Sequence, residues 1–222
     1  MDIWEAVRAE RLDLVGRLAH LEPAQWDTTS LCTQWRIRDV LGHVTAGAQG
    51  AYGVGPLLSG MIRHGFNFNR WMADDGRQRG AQDPPTTLET LRTSADLRHK
   101  PPGAPPVSVL ADTVIHGQDM FRPLGVERRV PESHLRPVAD FMKTSFGFGA
   151  RKRMAGLRLT ATDMDWIHGE GPEVTGPAEA FVLVMAGRFA GLSDLDGEGK
   201  RILADRCQGE AAGRRAGKQP GP

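Results

Sequence analysis

The sequence predicts an α+β protein in which a helical bundle comes first and a small mixed unit follows. Apolar residues recur every three or four positions through the N-terminal half, whereas apolar and polar residues alternate from Leu157 to Thr162, as in a half-buried strand. The 222 residues are 40% hydrophobic and 25% charged, as in ordinary globular proteins. We therefore expect the bundle at residues 1–126, the α+β unit at 127–205 and a disordered tail at 206–222.

Four helical stretches are predicted before a proline-rich segment. Their apolar stripes cover residues 3–21, 36–50, 57–72 and 86–99. Asp2 is available to cap the first stretch, and Thr86 with Glu89 forms a capping-box pattern at the start of the fourth. The prolines at 101–106 exclude a helix interior, and a further helix is expected directly after them, ending near Arg122-Pro123.

The C-terminal part combines helices with strands. We predict a helix over 132–146, a strand over 157–162 and, after a turn rich in glycine and proline, a short strand near Val174. Pro177 then begins an apolar helix that continues to Ala186.

Charge and hydropathy exclude several classes of partner. Twenty-eight basic residues oppose 27 acidic ones, so the formal charge of +1 gives no electrostatic case for a nucleic acid or an anionic membrane. Apolar stretches such as 178–186 are far shorter than a membrane span. The first five residues lack the basic and apolar regions of a secretory signal, so we expect a cytoplasmic location.

Sequence motifs exclude other kinds of site. Cys32 and Cys207 form no C-x-x-C pair, which favours neither a disulfide framework nor a thiolate zinc site. Gly53-Val54-Gly55 lacks the third glycine and the preceding strand of a dinucleotide-binding loop. No serine lies in the G-x-S-x-G turn of the common hydrolases.

His43 and His116 are singled out among the seven histidines, because His43 lies in the middle of the second predicted helix and His116 in the middle of the helix after the prolines. Asp112 precedes His116 by four positions, so both side chains leave one helix face and could bind a single metal ion. His43 could supply a third ligand, which would leave the open fourth position of a catalytic zinc. By spacing alone, a weak surface pair and an ordinary buried imidazole are the commoner interpretations.

A resemblance to a known family favours the metal site. The segment 26–44, with S-L-C-T-Q-W at 30–35 and D-V-L-G-H at 39–43, resembles the first motif of the mycothiol-dependent maleylpyruvate isomerases. The segment 112–125 is similar to the second motif, and 156–188 resembles the small C-terminal domain. The resemblance covers residues 1–205 and implies a DinB-like metal-binding four-helix bundle with a small C-terminal domain.

The resemblance implies a divalent metal, usually zinc, with mycothiol as co-substrate. Its metal ligands correspond to His43, Asp112 and His116. The isomerases have Glu where this chain has Asp112, and the shorter side chain, by about 1.5 Å, either brings the helix closer to the metal or weakens or alters the site. Arg36 replaces the usual Thr or Ser cap of the second helix, which we expect to lower its stability slightly.

Three further residues are candidates for supporting roles. Asp39 lies four residues before His43, and Asp119 lies three after His116, so each could accept the second ring N–H of its histidine; both could equally be solvated. Arg188 follows a predicted helix and is either a partner of the helix dipole or an anion clamp for a carboxylate substrate; the sequence favours the former.

Three functional hypotheses follow. The first is a zinc-dependent enzyme, an S-transferase or cis/trans isomerase, in which a metal-bound thiolate attacks an electrophilic small molecule. The second is a non-catalytic metal- or thiol-binding regulator, for which the Asp for Glu exchange is the best support. The third is a thiol-independent metalloenzyme of secondary metabolism. A homodimer is among the assemblies such a bundle forms, although no face for it can be located.

Overall fold

The computed structural model describes residues 2–32, 34–145 and 149–215. The chain divides into two compact units, Met1–Arg129 and Val130–Pro222. The first is helical and the second combines helices with a small sheet, so the predicted α+β class is confirmed. No helix in the described ranges is long and apolar enough to cross a membrane.

The first unit contains a ring of four helices, and a further pair packs on one side of it. Its helices are α1 (Ile3–Leu18), α2 (Ile37–Ala48), α3 (Val54–Arg63), α4 (Phe68–Gly80), α5 (Pro84–Thr93) and α6 (Pro106–Phe121), with a short 3-10 helix at Pro23–Asp27. Helices α1 and α2 each contact both α5 and α6, which closes the bundle. Helix α4 packs along α2, and α3 packs on α4.

The core of the bundle lies where the apolar stripes meet. Leu14 and Leu18 of α1, Leu41 of α2 and Phe121 of α6 are fully buried in one hydrophobic cluster. Each of these helices places apolar residues three or four positions apart, so one face of each is turned inward. The carboxylate of Asp2 accepts a hydrogen bond from the Trp4 amide and caps α1, as predicted.

Glycines allow α4 to approach α2 closely. A Cβ on Gly80 would overlap the carboxylate and backbone of Asp39, and one on Gly76 would overlap the indole ring of Trp35. Both glycines are buried. At these two positions α4 therefore presents bare backbone to Asp39 and to the Trp35 ring, which lets the two helices lie close together.

The helical stretch predicted within the glycine-interrupted segment 57–72, whose ends the sequence did not fix, is divided between two separate helices, α3 and α4. The chain turns between them at Gly65 and Phe66, which have φ of 62° and 60°. Left-handed backbone ends a right-handed helix, and Asn67 then begins the next one by accepting a hydrogen bond from the Arg70 amide. Phe66 gave no sequence signal for this break, since aromatic residues rarely adopt positive φ.

The fourth predicted helix begins and ends earlier than expected. The carboxylate of Asp83, and not Thr86, caps α5 and accepts the Thr86 amide. Pro84 and Pro85 occupy the first turn, where a missing amide hydrogen has no consequence. The helix ends at Thr93.

The second unit is built around a three-stranded sheet. Its elements are α7 (Glu132–Thr144), α8 (Ala150–Met154), β1 (Arg158–Ala161), β2 (Ile167–His168), β3 (Glu173–Gly176), α9 (Ala178–Met185), a 3-10 helix at Phe189–Asp194 and α10 (Lys200–Arg215). Strand β1 is central, antiparallel to β2 and parallel to β3. Helix α9 is buried along its length, apart from Glu179, and packs against α7 and β1. Phe146, the predicted end of α7, lies outside the described residues.

The disordered tail predicted from residue 206 is wrong for 206–215, which continue α10. Cys207 is buried one turn after the buried Leu203. Arg206 donates to the carbonyl oxygens of Arg153 and Ala155 at 2.7 Å, and Glu210 pairs with the guanidinium of Arg153. These contacts anchor a segment that has few apolar residues. Residues 216–222 lie outside the described part of the chain.

The close approach of α4 predicts opposite effects for two Gly to Ala substitutions. We expect Gly76→Ala to lower the free energy of unfolding by about 1–3 kcal/mol, because the added methyl group displaces the Trp35 ring. Gly16→Ala is the matched control, since Gly16 lies in α1 with open space beside it, and it should raise stability by up to about 1 kcal/mol. Urea unfolding of both variants measures this; equal effects would contradict the close contact.

Candidate metal centre

The three residues predicted to bind a metal meet between α2 and α6. His43 comes from α2, and Asp112 and His116 come from α6. We call these residues the donor triad. Oδ1 of Asp112 lies 3.5 Å from Nε2 of His43 and 3.4 Å from Nε2 of His116, and the three ligand atoms lie within 4.8 Å of one another. Two ligands of a tetrahedral zinc are about 3.3 Å apart, so the two carboxylate–imidazole distances suit one ion.

The donor triad is buried on the imidazole side and open on the carboxylate side. His43 and His116 are both buried, whereas 42% of the Asp112 side chain is exposed. A small molecule can therefore approach along Asp112 while the protein interior holds the two rings.

The tautomer of neutral His116 is fixed by Asp119. Nδ1 of His116 lies 2.9 Å from Oδ2 of Asp119, which is fully buried at the end of α6. A carboxylate can only accept, so Nδ1 carries the hydrogen and Nε2 faces Asp112. The Cys32 thiol donates to the same oxygen at 3.0 Å, and the Leu31 amide donates to the Asp119 carbonyl. The contact predicted between Asp119 and His116 is present.

The partner of His43 is a tyrosine that the sequence analysis missed. Nδ1 of His43 lies 2.8 Å from the hydroxyl of Tyr52, and this hydroxyl donates to Oδ2 of Asp75 at 2.9 Å. Nε of Arg79 donates to the same Asp75 oxygen at 2.7 Å. We call Tyr52, Asp75 and Arg79 the tyrosine relay. Burial, and then the nearby Asp75 carboxylate, raise the pKa of Tyr52, so the phenol keeps its proton.

The prediction that Asp39 orients His43 is wrong, because Asp39 serves the start of α2. Its Oδ2 accepts the Arg36 amide at 2.9 Å, and both carboxylate oxygens accept from the Arg36 guanidinium. Arg36 also pairs with Asp27. Asp39 thus accepts the N-cap amide from the first turn, which is one half of a capping box, whereas a Thr or Ser at position 36 would have accepted a first-turn amide and formed the other half.

The electrostatics of the donor triad favour a bound positive charge. The surrounding protein removes part of the water around Asp112 and so opposes its charge, but the adjacent His116 and His43 outweigh this effect and hold the pKa of this carboxyl well below its usual range. Burial likewise opposes the imidazolium of His116, yet Asp112 and Asp119 raise its pKa well above that of a free histidine. A metal ion at this position would take the place of the proton.

Trp35 packs against both imidazoles. Its ring centroid lies 5.0 Å from that of His43 and 6.0 Å from that of His116, and its Nε1 donates to the carbonyl of Ala73 in α4. The tryptophan of the first sequence motif therefore restricts the movement of both rings.

A second set of potential ligands shares His116. Sγ of Cys32, His116 and Asp119 also bring ligand atoms within 4.8 Å of one another. In this set, however, the Asp119 oxygen already accepts from both neighbours, so hydrogen bonds account for the contacts. The donor triad is the better candidate, because its three inward-facing atoms are all acceptors when the imidazoles are neutral.

Arg188 lies in the second unit, three residues after α9 ends at Met185. Its Nη1 donates to the carbonyl of Ala186 at 2.8 Å. This contact agrees with the helix-end role that the sequence favours. The anion clamp stays a prediction.

The residues that sequence reasoning missed come from outside the two motifs. Tyr52 follows α2 in a glycine-rich segment, and Asp75 and Arg79 are four positions apart on α4. The only sequence signal was this acid–base spacing, which is common on helix surfaces.

Arg11 places a further fixed charge near the donor triad. Its guanidinium donates to the carbonyls of Ala95 and Leu97. Burial lowers the pKa of Arg11, and the charge of Asp112 opposes that shift.

Removal of the Asp119 carboxylate should destabilise the metal-free protein strongly. Asp119→Ala removes the acceptor of the His116 ring N–H and of the Cys32 thiol, so we expect a loss of about 3 kcal/mol in the free energy of unfolding. The control is Asp96→Ala, which removes an exposed ion pair with Arg8 and should cost less than about 1 kcal/mol. Denaturant titration compares the two; similar losses would argue against a buried anchoring role.

Solved structures with a similar fold include the mycothiol-dependent maleylpyruvate isomerase, with a TM-score of 0.60 and 14% sequence identity. A variant of that isomerase with one histidine replaced by alanine matches with a TM-score of 0.59 and 14% identity. Each match covers 88% of this chain and 91% of the other. These likenesses support the α+β fold described above.

Sequence comparison extends the likeness to the family level. No curated protein matches the chain significantly. The family model for the mycothiol maleylpyruvate isomerase N-terminal domain matches residues 7–121, slightly more than half of the chain, and this range contains the whole donor triad. The chain belongs to the family of the mycothiol maleylpyruvate isomerase N-terminal domain.

Proposed function

We propose that this protein is a zinc-dependent enzyme that uses a low-molecular-weight thiol, mycothiol by family, to modify an electrophilic small molecule by S-transfer or cis/trans isomerisation. The observation that carries the proposal is the donor triad, in which one carboxylate oxygen lies within 3.5 Å of two imidazole nitrogens. The family assignment supports the choice of thiol, and the similar solved structures are those of a mycothiol-dependent isomerase.

The donor triad suits a borderline cation such as Zn²⁺. His43, Asp112 and His116 would hold the ion through two nitrogens and one oxygen, a ligand set typical of catalytic zinc sites. When bound, zinc would favour the thiolate form of a coordinating thiol and thereby supply the nucleophile. Three protein ligands are one fewer than a closed structural site has, so a position would remain for the thiol.

The side chains around the donor triad orient its imidazoles and cover them on one side. Asp119 and Tyr52 orient the two imidazoles, and Trp35 covers them from the protein side. The exposed edge of Asp112 leaves a side on which thiol and substrate can enter. Both imidazole rings are buried, so few water molecules surround them. The lower local dielectric constant strengthens the electrostatic interactions of the site.

The regulatory alternative rested on the shorter side chain of Asp112. In the structure this carboxylate approaches both imidazoles at nearly equal distances, 3.4 and 3.5 Å. This spacing supports a metal centre in spite of the shorter side chain, and we favour the enzyme.

Metal binding is the first test of the proposal. Protein purified without a histidine tag should bind about one equivalent of zinc, and His116→Ala or the nearly isosteric Asp112→Asn should weaken binding at least about tenfold, because each removes a ligand. His20→Ala, an exposed histidine outside the triad, is the control. Elemental analysis and chelator competition measure both. A stoichiometry of a few tenths or less, unchanged in His116→Ala, would favour the regulatory alternative.

Thiol binding is the second test. Zinc-loaded protein should bind mycothiol, and chelation should abolish this binding, since the sulfur needs the open coordination position. Isothermal titration with loaded and metal-free protein makes the comparison, and Asp112→Asn should behave like the metal-free protein. Zinc-loaded protein that fails to bind any thiol would instead indicate a thiol-independent metalloenzyme.

A further inference from the structure

We propose that Tyr52 is a positioning residue for the metal centre: held by Asp75 and Arg79, its hydroxyl forces neutral His43 to carry its hydrogen on Nδ1 and to keep Nε2 free for a metal. The statement about the tautomer stands on the hydrogen bonds alone. Its consequence for zinc rests on the function proposed above.

The contact between Arg79 and Asp75 determines the direction of the hydrogen bonds in the tyrosine relay. The guanidinium of Arg79 donates to Oδ2 of Asp75 at 2.7 Å, so this group is an ionised acceptor. The phenol has a single hydrogen, and it donates this hydrogen to the same oxygen at 2.9 Å. The Tyr52 oxygen can therefore only accept at its 2.8 Å contact with Nδ1 of His43, and the hydrogen in that contact belongs to histidine.

The tautomer determines what His43 offers to the centre. With the hydrogen on Nδ1, the lone pair of Nε2 faces Oδ1 of Asp112 at 3.5 Å. Two acceptors that face each other in this way leave between them a position that suits a metal ion. In the other tautomer Nε2 would carry a hydrogen and could not act as a ligand.

The position of Tyr52 is itself constrained. Its ring lies 5.1 Å from that of His43 and makes an edge contact with Trp71 at 6.3 Å. The guanidinium carbon of Arg79 lies 5.6 Å from the centre of the phenol ring, on its face. Arg79 thus fixes Tyr52 twice, through Asp75 and through the ring, which suits a residue that must hold an orientation.

Loss of the Tyr52 hydroxyl should allow both neutral tautomers of His43 without removing a metal ligand. In Tyr52→Phe the ring remains and Nδ1 of His43 loses its acceptor, so both neutral tautomers become populated. Only one of them can bind a metal through Nε2. Loss of such an orienting partner typically weakens metal affinity 10–100-fold.

The first experiment reads the tautomer directly in the metal-free protein. Long-range ¹H–¹⁵N spectra, recorded at a pH at which the ¹⁵N shifts of His43 are those of a neutral imidazole, should show its hydrogen on Nδ1 in the wild type and distributed over both nitrogens in Tyr52→Phe. His116 is the internal control, because its partner Asp119 is unchanged and its signals should stay where they are. An unchanged His43 tautomer in a folded Tyr52→Phe variant would overturn the inference.

A second variant keeps the test decisive. Asp75→Ala leaves the Tyr52 hydroxyl in place but removes its acceptor, so the phenol can donate to Nδ1 and should move the histidine hydrogen toward Nε2. Asp75→Asn is the matched control, since its amide oxygen can still accept from both Tyr52 and Arg79 and should preserve the wild-type tautomer. A relay that merely packs the helices would change stability in these variants and leave the tautomer of His43 alone.

The second experiment measures zinc affinity by competition with a chelator. Tyr52→Phe and Asp75→Ala should bind zinc 10–100-fold more weakly than the wild type, and Asp75→Asn within about threefold. Equal zinc affinity in the wild type and Tyr52→Phe would overturn the positioning role and leave the proposed function standing. A wild type that binds no zinc would refute the proposed function and the consequence for zinc, whereas the spectra would still decide the tautomer.

Discussion

Two imidazole nitrogens and a carboxylate oxygen face one another where α2 meets α6. When the imidazoles are neutral and the carboxyl group is ionised, all three atoms are acceptors. Such a group can be buried only if positive charge lies among its members, as a proton or as a metal ion. The raised pKa of His116 and the lowered pKa of Asp112 express this demand in the metal-free protein. The surrounding packing and hydrogen bonds hold these acceptors together against their mutual repulsion.

Sequence patterns predicted the part of this arrangement that depends on helix geometry. The stripes of α1, α2 and α6 identified those helices, and the spacing of Asp112 and His116 placed both on one face. His43 was proposed as a third ligand from its place in a neighbouring predicted helix, and the resemblance to the isomerase family supported that proposal. The break between α3 and α4 was missed because it depends on left-handed backbone at Phe66, a conformation that the side chain does not signal.

The partners of the two histidines show where local patterns stop being informative. Asp119 lies within one turn of His116, and helix geometry brought the two together as spacing suggested. Asp39 has an equally suitable spacing from His43, but the backbone amide and the guanidinium of Arg36, at the start of α2, bind its carboxylate. The partner of His43 then came from Tyr52, through a tertiary contact. Sequence spacing alone does not show whether a carboxylate binds a histidine ring on its own helix or the groups at the start of that helix.

Helix α4 links the stability of the bundle to the quality of the metal centre. It approaches α2 closely only because Gly76 and Gly80 carry no side chain, and the same helix supplies Asp75 and Arg79 to the relay behind His43. The distance from α4 to α2 therefore sets both the packing around Trp35 and the reach of the relay to the imidazole. A side chain inserted between these helices would displace the residues around the metal site as well as those of the core. Since hydrogen bonds weaken steeply with distance and angle, the orientation of His43 would be lost before the helices separate.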